Sequence, residues 1–163
     1  MDSIIPIKLA LAIHYYTPAL MFGVFSICVI LALLFVHFRR DALVFMISFI
    51  VTDIVGVTLK YIFAVPRPEN ALIPISGYAF PSNHAALSMF FAFMFSWFIY
   101  EHTHIRKSYR YMLQSVIYIP AVVVGLSRLT IHVHTPFQVI VGSLIGILVP
   151  FLLLSLDRFY QNR

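Results

Sequence analysis

Charged residues are scarce in this sequence, and their scarcity excludes a water-soluble fold. Only 10% of the 163 residues are charged, whereas 61% are hydrophobic. An average soluble domain has roughly 25% charged residues, so the composition predicts an integral membrane protein. The net charge of +5 is modest and falls in short segments between apolar runs, a pattern that does not favour nucleic-acid binding.

Acidic residues and cysteine are also rare, which limits the chemistry available to the chain. The six Asp and Glu residues form no cluster in the sequence, so a site for a hard cation such as magnesium is difficult to build. The single Cys28 excludes a disulfide within the chain, and a thiol inside an apolar run stays protonated and inert. We therefore expect no metal and no cofactor.

Long apolar runs without strand-like alternation predict an all-α bundle, because helices satisfy their own backbone groups in lipid. Ile4–Tyr16 is too short to span and contains Pro6 and Lys8, so we expect a short interfacial helix there. Nothing in it resembles a secretory signal. The predicted fold is about five transmembrane helices plus this interfacial helix, in one membrane-embedded domain, 1–163. The predicted spans are about 18–38, 42–63, 83–100, 111–127 and 136–157.

The segments between the runs differ in charge and so predict an orientation. Residues 39–41, the loop 101–110 and the C-terminal tail hold seven of the eleven basic residues, which favours the cytoplasm for that face. The segments 64–82 and 128–135 would then face outward. Because successive helices alternate in direction, four helix ends meet on the outward face, and distant positions there can converge.

Three cations and two histidines fall on that outward face. Arg67 and Arg128 can bind phosphate oxygens bidentately, and Lys60 adds a point charge. His84 and His134 stand at the starts of two helices, so one can attack phosphorus while the other protonates the leaving oxygen. Helix N-termini also favour anions. These residues predict metal-independent phosphoryl transfer that depends on positioning and electrostatic stabilisation.

Three motifs resemble the signatures of the type 2 phosphatidic acid phosphatase superfamily, which includes acid phosphatases and vanadium-dependent haloperoxidases. They occur in the family's order and spacing, over a predicted catalytic core of about 42–157. The run His-Thr-Pro-Phe-Gln-Val further resembles the polyprenyl-diphosphate branch. The motifs are Lys60 with Arg67-Pro68 after six residues, then Pro81-Ser82-Asn83-His84, then Ser127-Arg128 with His134 after five residues and Gln138 after three more.

The resemblance implies a role for each matching residue. His134 would be the nucleophile that forms a phosphohistidine, and His84 the general acid for the leaving group. Gln138 would complete the catalytic set by orienting His134. The resemblance also implies that the phosphate is bound by Lys60, Arg67, Ser82, Asn83 through its backbone N–H, Ser127 and Arg128.

The substrate implied is a lipid phosphomonoester or diphosphate, held with its tail in the membrane and its phosphate in an extracytoplasmic site. A polyprenyl diphosphate is the first choice, followed by phosphatidic acid or phosphatidylglycerophosphate. Two alternatives stay open. The chain could be a lipid phosphotransferase, or a non-catalytic membrane protein that binds lipid phosphates or anions. The oligomeric state is not predicted.

Two residues depart from the family pattern. Asn83 stands where the family has glycine, and asparagine tolerates left-handed backbone better than most residues. Gln138 stands where the family usually has aspartate, so it could orient His134 but brings no negative charge. Thr135-Pro-Phe-Gln138 alternatively fits a capping box for the last helix. We expect a single Gln138 rotamer to serve one of these two contacts and not both.

Other polar residues receive ordinary interpretations. Asp53 is either a hydrogen-bonded or protonated packing residue or a partner of the cation cluster. His132 lacks further ligands for a zinc site, and the aromatic run 90–95 is interpreted as lipid-facing and packing surface. The remaining histidines, interpreted as solvated or interfacial, are His14, His37, His102 and His104.

Overall fold

The computed structural model describes residues 5–35 and 38–163, apart from the side chains of residues 32 and 33. Five α-helices account for most of this part, so the all-α prediction is confirmed. His37 and Ile4, both named above, lie outside the described residues. The helices are α1 (Ile7–Leu34), α2 (Arg39–Phe63), α3 (Asn83–His102), α4 (Lys107–Thr130) and α5 (Pro136–Gln161).

The N-terminal prediction of a short interfacial helix followed by a separate span is wrong. α1 is one helix of 28 residues that passes through Pro18. A proline removes one backbone hydrogen bond but is tolerated in membrane helices when nearby groups satisfy the freed carbonyl. The Thr17 hydroxyl donates to the carbonyl of Ile13, whereas the carbonyl that Pro18 leaves without its helical donor is that of His14. Lys8 therefore lies in the first turns of a long helix.

The number of spans also needs correction, from about five to four candidates. By length and composition, Ile7–Leu31 of α1 and the whole of α2, α4 and α5 can cross a membrane. α3 has 20 residues, but polar residues at both of its ends shorten its apolar stretch. The chain is thus a multi-pass membrane protein, with four candidate spans among the residues that the structure describes.

α3 is the centre of the bundle, in contact with all four other helices. Its Phe90 and Met94 are almost fully buried and form the main hydrophobic cluster with Phe45 of α2 and Leu154 of α5. The aromatic run of α3 is therefore mainly packing surface. Large apolar side chains elsewhere point outward, as expected for helices that face lipid.

Two glycines on α5 allow the close approach of α3. A Cβ added at Gly142 would lie 2.4 Å from the Ser82 carbonyl oxygen, and one at Gly146 would lie 2.1 Å from that of Ala86. Small residues at such positions let helix backbones pack closely in membranes. The beginnings of α3 and α5 are consequently held side by side.

The ends of α2 and α4 and the starts of α3 and α5 form what we call the site end of the bundle. The loop between α2 and α3 is fastened there by backbone bonds, Ser82 N–H to Gln138 carbonyl at 3.1 Å and Leu72 N–H to Ile131 carbonyl at 3.0 Å. The starts of α2 and α4 and the ends of α3 and α5 form the opposite end.

Candidate active site

His134 lies in the short connection between α4 and α5 and is buried, with 6% of its surface exposed. Its Nδ1 is 3.1 Å from Oε1 of Gln138. A carbonyl oxygen can only accept, so Nδ1 carries the hydrogen and Nε2 keeps its lone pair. Nε2 is therefore the nitrogen able to attack an electrophile.

The same Gln138 oxygen also accepts a bond from the backbone N–H of Thr135 at 3.1 Å. The Thr135 hydroxyl accepts from the Gln138 N–H at 3.4 Å, which completes the capping box of α5. Our expectation that capping and contact with His134 exclude each other is wrong, because a carbonyl oxygen has two lone pairs.

The double contact has a chemical consequence for His134. A backbone N–H can only donate, so the Thr135 bond fixes which end of the Gln138 amide is the oxygen. That oxygen in turn fixes the tautomer of His134. The helix cap and the orientation of the imidazole thus depend on one side chain.

Burial is the main cause that lowers the pKa of His134, to about 4, and the positive charge of Arg67 acts in the same direction. The hydrogen bond that Nδ1 donates to Gln138 opposes this shift in pKa, as does a hydrogen bond to the backbone of Ala79, and Lys60 adds a smaller decrease. In the absence of an anion, the His134 ring is therefore neutral at pH 7. The neutral form is the one with a free lone pair.

The three predicted phosphate-binding cations lie at the site end, and their hydrogen bonds go to neutral groups. Arg128 is fully buried; its Nε and Nη2 donate to the Ser127 hydroxyl at 3.1 and 2.9 Å. Arg67 donates from Nη1 to the carbonyl of Val133 at 3.2 Å. The remaining bonds run from Lys60 Nζ to the carbonyls of Tyr78 at 3.0 Å and Pro81 at 2.7 Å.

Ser127 acts on Arg128 in this structure. Its hydroxyl donates to the carbonyl of Val124 at 2.7 Å and accepts both bonds from Arg128. The hydroxyl hydrogen is thus committed, so Ser127 orients the guanidinium and has no hydrogen left for a phosphate.

His84 begins α3 with its Nε2 buried and without a hydrogen-bond partner among the described residues. The Ser82 hydroxyl and Arg67 Nε share this property. The ionisable groups close enough to act electrostatically on His84 include Arg128, His134 and Arg67. Unpaired buried polar atoms are costly, and three of the seven found among the described residues belong to Arg67, Ser82 and His84.

The side chain of Asn83 points away from these cations, toward α2. Its Nδ2 donates to Oδ1 of Asp53 at 3.1 Å, and it covers Gly56, where an added Cβ would lie 2.5 Å from Asn83 Oδ1. Asp53 is therefore a hydrogen-bonded packing residue that ties α2 to the start of α3. Asn83 has helical backbone, so the left-handed conformation considered above is not used.

His14 was assigned no role from the sequence, but the structure places it beside the proposed site. Its Nδ1 is 2.6 Å from Nη1 of Arg128, and its ring centroid is 5.5 Å from that of His84. Ala10 and Thr17, on the same face of α1, are buried. The sequence does contain a signal for this contact, because Ala10, His14 and Thr17 are small or polar and stand at i, i+4 and i+7. Such spacing indicates a packed helix face.

No metal centre is found among the described residues, where no three His, Cys, Asp or Glu side chains group closely enough to hold an ion. His132 is exposed, with a positive φ of 54°. It lies in the connection that carries His134 but has no described contact with the cations.

Comparison with protein families gives one match to most of the chain, the PAP2 superfamily, over residues 41–161. An undecaprenyl-diphosphatase of Sulfolobus acidocaldarius is 31% identical over 134 residues, which cover 78% of this chain and 60% of that protein. Phosphatidylglycerophosphatase B of Bacillus subtilis is 28% identical over 127 residues, covering 75% and 63%. The chain therefore spans about three fifths of the length of these two relatives.

Two crystal structures share the fold. A transmembrane PAP2-type phosphatidylglycerolphosphate phosphatase from Bacillus subtilis superposes with a TM-score of 0.78 at 23% identity, over 93% of this chain and 76% of that one. LpxE from Aquifex aeolicus superposes with a TM-score of 0.67 at 22% identity, over 91% and 86%. At these identities, the likeness describes the arrangement of the helices.

Proposed function

This chain belongs to the PAP2 superfamily, and from that premise we propose that it is a metal-independent membrane lipid phosphatase. It removes phosphate from a lipid phosphomonoester or diphosphate through a phosphohistidine. The observation that carries the proposal is a cluster of one fully buried and two partly buried cations near His134 and His84. Their hydrogen bonds end on carbonyls, a hydroxyl and an imidazole. A phosphoryl group would supply the missing negative charge.

The proposed reaction has two steps. In the first, Nε2 of His134 bonds to phosphorus, the bond from phosphorus to the leaving oxygen breaks, and His84 donates a proton to that oxygen. Burial and the charge of Arg128 lower the pKa of His84 to about 3, so the bound phosphate anion must raise this pKa for His84 to carry that proton. In the second, water attacks phosphorus, the bond to His134 breaks, and His84 takes the proton from the water. Gln138 holds His134 in the attacking tautomer throughout.

In this proposal the phosphate oxygens are bound by Lys60, Arg67 and Arg128. The Ser82 hydroxyl and the backbone N–H of Asn83 at the start of α3 add hydrogen bonds, since the first N–H groups of a helix have no partner within it. Ser127 contributes by orienting Arg128. Developing negative charge on the transferred group would thus meet fixed cations that need no rearrangement.

A polyprenyl diphosphate is the proposed substrate, ahead of phosphatidic acid or phosphatidylglycerophosphate. The run 134–139 supports this choice by its resemblance to the polyprenyl-diphosphate branch, and a relative named undecaprenyl-diphosphatase matches most of the chain. The match to phosphatidylglycerophosphatase B keeps the glycerolipid phosphates as the next choice. The site end lies at headgroup depth if the candidate spans cross the bilayer, which suits a lipid with its tail in the membrane.

We further propose that the site end faces away from the cytoplasm and that 1–163 form one domain with its catalytic core at about 42–157. The basic segments 39–41 and 101–110 support this orientation, because they lie at the opposite end and basic residues favour the cytoplasmic side.

A phosphate-release screen tests the proposal. The purified full chain in detergent would be given polyprenyl diphosphates and glycerolipid phosphates, with EDTA and with vanadate. We expect release that EDTA does not reduce and that vanadate inhibits. His134→Ala should release none, whereas His104→Ala, a histidine change at the opposite end, should behave like the wild type. Binding of lipid phosphates without turnover would replace the enzyme by the non-catalytic alternative.

A further inference from the structure

His14 comes from outside the three motifs and outside the residues matched by the family, 41–161. α1 nevertheless packs against α4, and its fully buried Ala10 clusters with Ile131 and Val133 of the connection that carries His134. One helical turn further along α1, His14 reaches Arg128. The helix thus covers the site end and adds a third histidine to it.

The contact with Arg128 fixes the tautomer of His14. A guanidinium in a protein only donates hydrogen bonds, so Nδ1 of His14 is the acceptor at 2.6 Å. The hydrogen of the neutral ring is therefore on Nε2. No described group accepts a bond from Nε2, so this N–H is a free donor on a ring that lies beside Arg128 and His84.

The position beside His84 identifies which part of a substrate His14 would meet. In the proposed mechanism, His84 serves the leaving oxygen, and His14 lies 5.5 Å from it, ring centre to ring centre. When the substrate is a phosphomonoester, the leaving group is an alcohol with a single oxygen. When it is a diphosphate, the leaving group carries a second phosphate with further anionic oxygens.

We propose that His14 recognises this second phosphate, donating from Nε2 to one of its oxygens while Nδ1 stays on Arg128. His14 thereby favours diphosphates over monophosphates of the same lipid. The inference depends on the proposed function, because it takes His84 as the residue on the leaving-group side. A residue that only oriented Arg128 would affect both substrates alike, since both have the phosphate that Arg128 binds.

The test compares two substrates with one tail, farnesyl diphosphate and farnesyl monophosphate, and measures kcat/KM for each with the full chain. We expect His14→Ala to lower the ratio of diphosphate to monophosphate kcat/KM by ~10-fold, as the loss of a hydrogen bond to a charged group would. Monophosphate turnover in the same preparation reports on folding. His14→Gln, which keeps an acceptor for Arg128 and a donor for phosphate, should restore part of the preference.

Binding provides a readout that does not require turnover. Farnesyl methylenediphosphonate and farnesyl phosphonate, which resist hydrolysis, would be titrated into the wild type and His14→Ala. The expected result is a loss of affinity for the diphosphonate that is ~10-fold larger than the loss for the monophosphonate. Equal losses for both analogues, or an unchanged ratio, would overturn the role of His14. Wild-type protein that binds both analogues but hydrolyses neither substrate would instead contradict the proposed function.

Discussion

The two ends of the helix bundle each carry several cations but give them different partners. At the opposite end, Arg40 pairs with Asp157 at 2.6 Å and Arg158 with Glu101 at 2.5 Å. At the site end, none of the three cations forms a salt bridge within residues 5–35 and 38–163. Their bonds go to carbonyls, a serine hydroxyl and an imidazole.

Exposure differs between the two ends as well. The side chains of Arg40 and Arg158 are 47% and 51% exposed, and exposed ion pairs contribute about 0–1 kcal/mol to stability. Arg128 is fully buried, and a buried charge without a counterion is destabilising. The comparison shows that stability alone does not account for the site end. The anionic ligand that we propose would account for it.

The largest effect is expected when Arg128 of the site end is replaced by an apolar residue of similar volume. Arg128→Met should reduce turnover by at least ~10³-fold, because it removes a fixed cation that stabilises the transferred phosphoryl group. The unfolding free energy should stay the same or rise by about 1 kcal/mol, since a buried charge disappears. Enzyme assays and denaturant unfolding measure the two effects. A loss of several kcal/mol would make Arg128 a structural residue.

Gln138 allows the fold and the proposed chemistry of the site end to be tested separately, because its side-chain oxygen contributes to both. Gln138→Ala should lower turnover by ~10²-fold or more through the wrong tautomer of His134. It should also cost about 1 kcal/mol as a lost cap. Thr135→Ala is the matched control: it removes the hydroxyl cap but keeps the N–H that orients the Gln138 oxygen. If turnover fell equally in Gln138→Ala and Thr135→Ala, the loss would come from the helix cap and not from the orientation of His134.

The contact of Asn83 with Gly56 predicts an effect on the free energy of unfolding. Gly56→Ala would place a Cβ 2.5 Å from Asn83 Oδ1, so the asparagine must move away from Asp53, at a cost of about 1–3 kcal/mol for overpacking. Asn83→Gly opens the space, and the double variant should be more stable than the sum of the single changes by about 1 kcal/mol. Additive unfolding free energies would show that the two residues do not interact.

The smallest effect is expected at the opposite end. Arg158→Gln removes the pair with Glu101 and should change the unfolding free energy by less than about 1 kcal/mol, with less effect at high salt. Turnover at saturating substrate should match the wild type. A substantial loss of turnover would show that the ion pair at the opposite end affects the chemistry at the site end. The two ends could then not be treated as independent.

The sequence alone could predict that the three motifs lie at helix ends on one side of the membrane. This prediction needs only the motif spacing and the alternating direction of successive helices. The sequence could not predict that α1 continues through Pro18, because α1 packs on α4, which is distant in the sequence. His14 was missed for the same reason: its contact with Arg128 joins residues 114 positions apart.

Other side-chain details also depended on the folded arrangement. The motif spacing alone suggested that Gln138 could contact either His134 or the helix cap. In the folded chain both contacts are made, because the His134 ring and the Thr135 N–H lie on the same side-chain oxygen of Gln138. The direction of Asn83 follows from the space above Gly56 on another helix. The predicted number of spans was too high because α3 was counted as one. α3 has polar ends and lies at the centre of the bundle, in contact with the other four helices.

Vanadate binding to the purified full chain tests the central claim most directly. The claim is that the three cations of the site end bind a phosphoryl group. Isothermal titration at fixed pH and salt should give one vanadate per chain for the wild type and for Arg158→Gln. Arg128→Met should bind at least ~10-fold more weakly, since it lacks a charge-assisted donor. Vanadate that binds the wild type and Arg128→Met equally well, or does not bind the wild type, would contradict the account.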